Sequence, residues 1–100
     1  MNENELNDLS EFFKCFSDVT RIRILQLLLI SPLNVGDIAK KLDISQSLAS
    51  HQLKHLKDLH FVKSERVGKT HVYDVADDHI KIILKYGIEH IREGDLYEKI

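Results

Sequence analysis

Cysteine is nearly missing from this chain: Cys15 stands alone among 100 residues. A single thiol excludes a disulfide framework and any paired-cysteine metal knuckle, and it suits a reducing, cytoplasmic setting. Tryptophan is absent, and Pro32 is the one proline. Long apolar runs are missing as well. The richest stretch, Ile22 to Leu33, is broken by Arg23, Gln26 and Ser31 and is far too short to span a bilayer, so no membrane partner is expected. The opening Met1-Asn2-Glu3-Asn4-Glu5 lacks the basic start of a targeting peptide. Repeats, low-complexity tracts and long linkers do not occur. With 43% apolar and 30% charged residues, the chain reads as one soluble globular domain over residues 1–100.

What is plentiful is histidine, six residues, set against a formal net charge of −2. A net acidic balance argues against nucleic acid, whose binders are usually basic. The location of the charges reverses that argument. Residues 1–11 carry Glu3, Glu5, Asp8 and Glu11 without a base, and residues 77–98 are acidic in excess. Between them, Lys40, Lys41, Lys54, Lys57, Lys63, Arg66 and Lys69 outnumber Asp43, Asp58 and Glu65. Local charge, not the total, steers a polyanion.

Leu6, Leu9, Phe12, Phe13 and Phe16 recur at helical spacing and predict a helix over about 4–16. Ser17-Asp18 is a cap for a second helix that carries Ile22, Ile24, Leu25, Leu28 and Leu29 to a stop at Ser31-Pro32. A short helix is expected over about Val35–Leu42. Asp43-Ile44-Ser45 forms a tight connection, and Ser45 caps a helix running to about Leu59. Phe61–Val67 and His71–Val75 read as strands joined at Gly68-Lys69. A long helix from Asp77 to about Glu93 closes the chain. Two helices across a three-residue turn, followed by a hairpin, make a winged helix-turn-helix: mainly α, with a β-hairpin wing.

In the segment from Ser45 to Leu56, the residues Leu48, Ala49, Leu53 and Leu56 form an apolar face. The opposite face carries Ser47, Ser50, His51 and Lys54, with Gln46 at its start. Small and hydrogen-bonding side chains at that spacing enter a major groove without steric conflict, and glutamine pairs with adenine through two hydrogen bonds. Lys54, Lys57, Arg66 and Lys69 would hold phosphates, which fix register rather than sequence. His51 is placed with the DNA contacts; His55 and His71 read as solvated.

On the last helix, His79, Ile83, Tyr86, His90 and Glu93 fall on one stripe, the rhythm of a helix that pairs with another helix. His79 and His90 are eleven residues apart, about 16 Å along a helix, so one ion cannot join them within one chain. Two antiparallel copies about an axis near residues 84–86 would bring Asp77 and His79 of one chain to His90 and Glu93 of the other. Symmetry makes that site twice per dimer. Gly87 costs about 1 kcal/mol in a helix interior but lets two backbones approach. Two imidazoles and two carboxylates suit tetrahedral Zn(II), with Co(II) a plausible substitute, and leave soft ions poorly served. A closed set of four ligands offers no open position for catalysis, so neither enzyme activity nor a small organic substrate is expected.

Three stretches together resemble the ArsR/SmtB family of bacterial winged-helix metal-sensing repressors, over nearly the whole chain. They are Asp18-Val19-Thr20-Arg21-Ile22-Arg23-Ile24-Leu25, the Ser45–Leu56 segment, and Asp77-x-His79 followed by ten residues, His90, two residues and Glu93. The last is similar to the zinc site on the C-terminal helices of the family's zinc sensors. Family branches that sense soft metals place a cysteine pair in the short helix before the turn. Here that stretch reads Asn34-Val35-Gly36-Asp37-Ile38-Ala39, and Cys15 is expected to pack. Nickel and cobalt sensors recruit further histidines from the ends, which this chain lacks before residue 51 and after residue 90.

The resemblance implies a homodimer through the first and last helices that binds palindromic double-stranded operator DNA without metal. Two Zn(II) ions per dimer, each shared between chains, would lower DNA affinity and derepress genes of zinc efflux or homeostasis. A Co(II)- or Ni(II)-responsive or metal-independent repressor is the alternative. It further implies a relay in which His90 passes a hydrogen bond to the backbone near His60, at the end of the recognition helix. Because zinc takes neutral imidazole, acid should weaken the response.

Overall fold

The computed structural model describes residues 1–98, with side-chain surroundings through residue 94. The last two residues of the expected 1–100 domain lie outside the described residues. Helix α1 spans Glu3–Lys14 and opens on a capping box, in which Asn2 and Glu5 exchange side-chain and backbone hydrogen bonds. It stops two residues short of the expected end, because a 3-10 turn over Cys15–Ser17 tightens the chain and Ser17 Oγ donates to the Lys14 carbonyl at 2.6 Å. Helix α2, Val19–Ile30, starts where Asp18 accepts from the Arg21 N–H, as its sequence predicts.

Strand β1, Leu33–Asn34, was not foreseen. It pairs antiparallel with the later strand over Thr70–Val75, matching Leu33 to Tyr73 and Asn34 to Val72. Asn34 also caps α3, Val35–Leu42, by accepting from the Asp37 N–H at 2.8 Å. One residue thus ends a strand and starts a helix, which ties the sheet to the helix-turn-helix. Asp43 turns the chain in a left-handed conformation, φ 54, and the Ile44 N–H reaches back to the Ala39 carbonyl. Helix α4 follows over Gln46–Asp58.

Strands β2, Val62–Val67, and β3, Thr70–Val75, form the wing, and the sheet order is β1-β3-β2. Gly68 opens the two-residue loop with φ +63, a conformation that glycine adopts without a Cβ clash. Helix α5 runs over Asp78–Glu98, five residues past the expected end, with Asp77 as its cap: Asp77 Oδ1 accepts from the Ile80 N–H at 3.1 Å.

The core collects Ile24, Leu25 and Leu28 from α2, Ile38 and Ala39 from α3, and Ala49, Leu53 and Leu56 from α4. Phe61, Val62, Val75, Ile80 and Leu84 complete it. Cys15 lies in this core, as expected. Burial pushes its thiol up, which the nearby Arg21 guanidinium only partly offsets, so the sulfur is held as an inert thiol. Helix α1 buries no residue. Among the described residues, no helix is long and apolar enough to cross a membrane.

Candidate functional site

The reading helix is fixed by its buried side. Ala49, Leu53 and Leu56, spaced 4 and 3 apart, are each fully buried, which aims the opposite side at solvent. Gln46, Ser47, Ser50, His51 and Lys54 are all exposed. Leu48, expected on the apolar face, is instead exposed: it sits about 100° around the helix from Ala49, at the margin of the buried stripe. Ser45 Oγ accepts from the Leu48 N–H at 3.0 Å and sets the start of the helix. Ser45→Ala is expected to cost about 0.5–2 kcal/mol, seen as a lower urea midpoint; an unchanged midpoint would contradict that role.

The wing stands beside the start of α4. A cavity of about 490 Å³ lies between them, lined by Asn34, Val35, Gly36, Gln46, Ser50, Lys69, Thr70, His71 and Tyr73. Three expected DNA contacts, Gln46, Ser50 and Lys69, therefore share one concave surface. Ser47, His51, Lys54 and Arg66 lie outside it. Thr70, His71 and Tyr73 join this surface although the sequence reading left them out, His71 as a solvated residue. Their strand spacing signals a sheet, but only the β1–β3 pairing brings them against α3 and α4. Arg66 Nε donates to the Gly68 carbonyl at 3.2 Å, which stiffens the wing tip and leaves the rest of the guanidinium free for an anion. Lys57, expected at a phosphate, instead donates to Ser64 Oγ of β2 at 2.6 Å and braces α4 against the wing.

The expected metal ligands sit at the start of α5 and past its middle. Asp77 Oδ2 lies 3.7 Å from His79 Nδ1, with both side chains exposed. Two ligands of a tetrahedral ion with bonds of about 2.0–2.1 Å sit roughly 3.3–3.5 Å apart, so this pair is close to a two-ligand spacing. His90 and Glu93 are exposed one turn apart in the second half of α5. Among the described residues, no three His, Cys, Asp or Glu side chains of one chain converge to hold a metal, as the separation along α5 requires. His60 occupies a left-handed conformation, φ 62, just past α4. Its N–H donates to the Lys57 carbonyl, so a donor from His90 would have to be received at a carbonyl there.

Between these positions α5 exposes apolar side chains among charged ones. Ile82, Tyr86 and Ile91 are exposed, as are Leu6, Leu9 and Phe13 of α1. A cavity of about 290 Å³ runs between the helices, lined by Phe13, Phe16, Ile22, Ile83, Leu84, Gly87, Ile88 and Ile91. A Cβ built at Gly87 meets nothing within 4 Å.

Residues 18–64 match the family model described as bacterial regulatory protein, arsR family. The transcriptional repressor SmtB homolog of Synechocystis is 33% identical over 95 residues, covering 95% of this chain and 72% of its own. A cadmium resistance transcriptional regulatory protein, the CadC homolog of Staphylococcus aureus, is 37% identical over 87 residues, covering 86% of this chain and 72% of its own. The homodimeric winged helix-turn-helix DNA-binding domain of a Mycobacterium bovis protein superposes with a TM-score of 0.84 at 21% identity. That match covers 98% of this chain and 93% of the other and establishes the winged-helix fold.

Proposed function

The chain belongs to the arsR family of bacterial regulatory proteins, and from that premise we propose that it is a metal-responsive repressor acting as a homodimer in the cytoplasm. The metal-free dimer binds a palindromic operator through Gln46, Ser47, Ser50, His51 and Lys54, with Arg66 and Lys69 on the flanking phosphates. Zn(II), two ions per dimer, is held by Asp77 and His79 of one chain with His90 and Glu93 of the other, and holding it lowers DNA affinity. The observation that carries this reading is the Asp77–His79 pair, 3.7 Å apart at one end of α5. A second imidazole–carboxylate pair, His90 and Glu93, stands about three turns further along α5, with Ile82 and Tyr86 exposed between. The SmtB and CadC relatives are transcriptional regulators, not enzymes.

The choice of ion rests on donor chemistry. The four proposed ligands are nitrogen and oxygen, and the one thiol is buried in the core, which favours zinc over soft cations. A cadmium regulator among the relatives makes cadmium the ion to compare. Tetrahedral absorption of the Co(II)-substituted protein is the expected spectrum, and an octahedral one argues for a different inducer.

Induction requires that the four ligands hold the ion better in the free dimer than in the DNA-bound one; operator DNA then weakens metal binding by the same factor. Moving the population from 1:99 to 99:1 takes about 5.5 kcal/mol. We place the link at His90, whose second ring N–H would donate to a carbonyl near His60 at the end of α4. DNA-binding anisotropy with and without zinc tests the whole reading. Zinc should release DNA from the native chain, while His79→Ala should bind DNA normally and not respond. Equal operator affinity for the native chain with and without saturating zinc removes zinc sensing.

A further inference from the structure

Helix α4 carries a pair of side chains that the α5 ligand set does not use. His51 and His55 stand four residues apart in it, both exposed. On a helix that spacing puts their Cβ atoms about 5–6 Å apart on one face. It is a spacing by which helices present two imidazoles to a single ion. The helix is held at both ends, by the Ser45 cap and by the His60 and Phe61 N–H groups closing on Lys57 and Leu56, so the rings project from a rigid element. The side-chain hydrogen bonds of this segment use Ser45 Oγ as acceptor and Lys57 Nζ as donor, and neither ring. Lys54 beside them opposes a cation, and Asp58, one turn beyond His55, offsets that charge.

We propose that His51 and His55 form a two-imidazole site for a divalent transition cation on the DNA-reading helix, and that its occupancy opposes DNA binding. Nitrogen donors of this kind rank Cu(II) above Ni(II) and Zn(II). Two protein ligands leave the other positions to water. His51 shares its stripe with Ser47, Ser50 and Lys54, so a hydrated ion there keeps α4 from closing on base edges. The opposition to DNA rests on the proposed role of α4; the binding of the ion does not.

The test uses the full chain carrying His79→Ala and His90→Ala, which removes both imidazoles of the α5 set. Histidine ring protons are followed by NMR as Cu(II) is added, with His60 and His71 as exposed internal references. The resonances of His51 and His55 should broaden first and together. His51→Gln or His55→Gln in that background should weaken copper binding at least about 10–100-fold, the range that loss of even an outer-sphere partner commands. Uniform broadening of all four rings, or copper binding unchanged by either substitution, overturns the site. With sheared duplex DNA of mixed sequence at low salt, Cu(II) should lower DNA retention in the double variant and leave it unchanged once His55→Gln is added. Equal loss in both overturns the opposition to DNA. Absence of DNA binding without any metal would instead count against the repressor reading.

Discussion

Phe61→Ala is expected to destabilise the folded chain by about 3–5 kcal/mol, the cost of emptying a fully buried aromatic site. Few side chains in the molecule join so many elements. Phe61 is 1% exposed, and its ring centroid lies 5.0 Å from those of both Phe12 and Phe16. Its backbone N–H donates to the Leu56 carbonyl at 2.8 Å, and its carbonyl accepts from the Ala76 N–H at 3.0 Å. The ring therefore tethers α1 while the backbone holds the end of α4 to the segment entering α5. Each aromatic pair adds about 0.5–1.5 kcal/mol beyond area burial, which places the expected loss toward the upper part of the range. Against a domain stability of about 5–15 kcal/mol, that is a third or more of the total in the weaker half of the range. Urea unfolding should show the drop as a lower midpoint. Since α1 buries nothing of its own, its amides should also lose hydrogen-exchange protection before those of α4. A change below about 1 kcal/mol would remove Phe61 from this role.

Elements whose instructions are local were legible in the sequence. Asp18 and Ser45 announce their helices because a cap acts over three residues, and the α3 boundaries follow from the periodicity of Val35, Ile38, Ala39 and Leu42. Strand β1 was not legible. Two residues carry no period, and Leu33–Asn34 is a strand only because Tyr73 and Val72, nearly forty positions later, offer their edge. The same non-local pairing brings His71 and Tyr73 to the surface shared by Gln46 and Ser50, so their place beside the reading helix could not be read from spacing. Leu48 was misplaced for a geometric reason: a face four positions wide includes a margin, and only packing decides whether the margin is covered. For the metal ligands, the sequence supplied the spacing and the structure added the closeness of Asp77 and His79. The rest of that set would be met only in the proposed pairing between chains.

That pairing gives the other large expected effect. Tyr86→Glu should leave each chain folded and make it a monomer, with DNA affinity lower by about 10²–10⁴, the gain that linking two binding modules commonly provides. Tyr86 is 64% exposed, so its replacement creates no cavity and should move the urea midpoint of the isolated chain little. It lies beside the proposed two-fold axis near residues 84–86. There a carboxylate would be desolvated against Ile82, Ile83 and a second copy of itself, and like charges forced together in an apolar seam repel. Exposed apolar side chains that gather mark an interaction site, and on this side α5 exposes Ile82 and Tyr86 about 40° from each other around the helix. Sedimentation should show one species at the mass of a single chain, near 11.6 kDa. The variant should lose zinc binding together with DNA binding, because neither the four ligands nor two half-sites can then be assembled. His79→Ala behaves differently, losing only the response to metal, and the pair of variants separates assembly from sensing. A Tyr86→Glu chain that stays dimeric and keeps native DNA affinity would move the interface off this seam and dissolve the shared site with it.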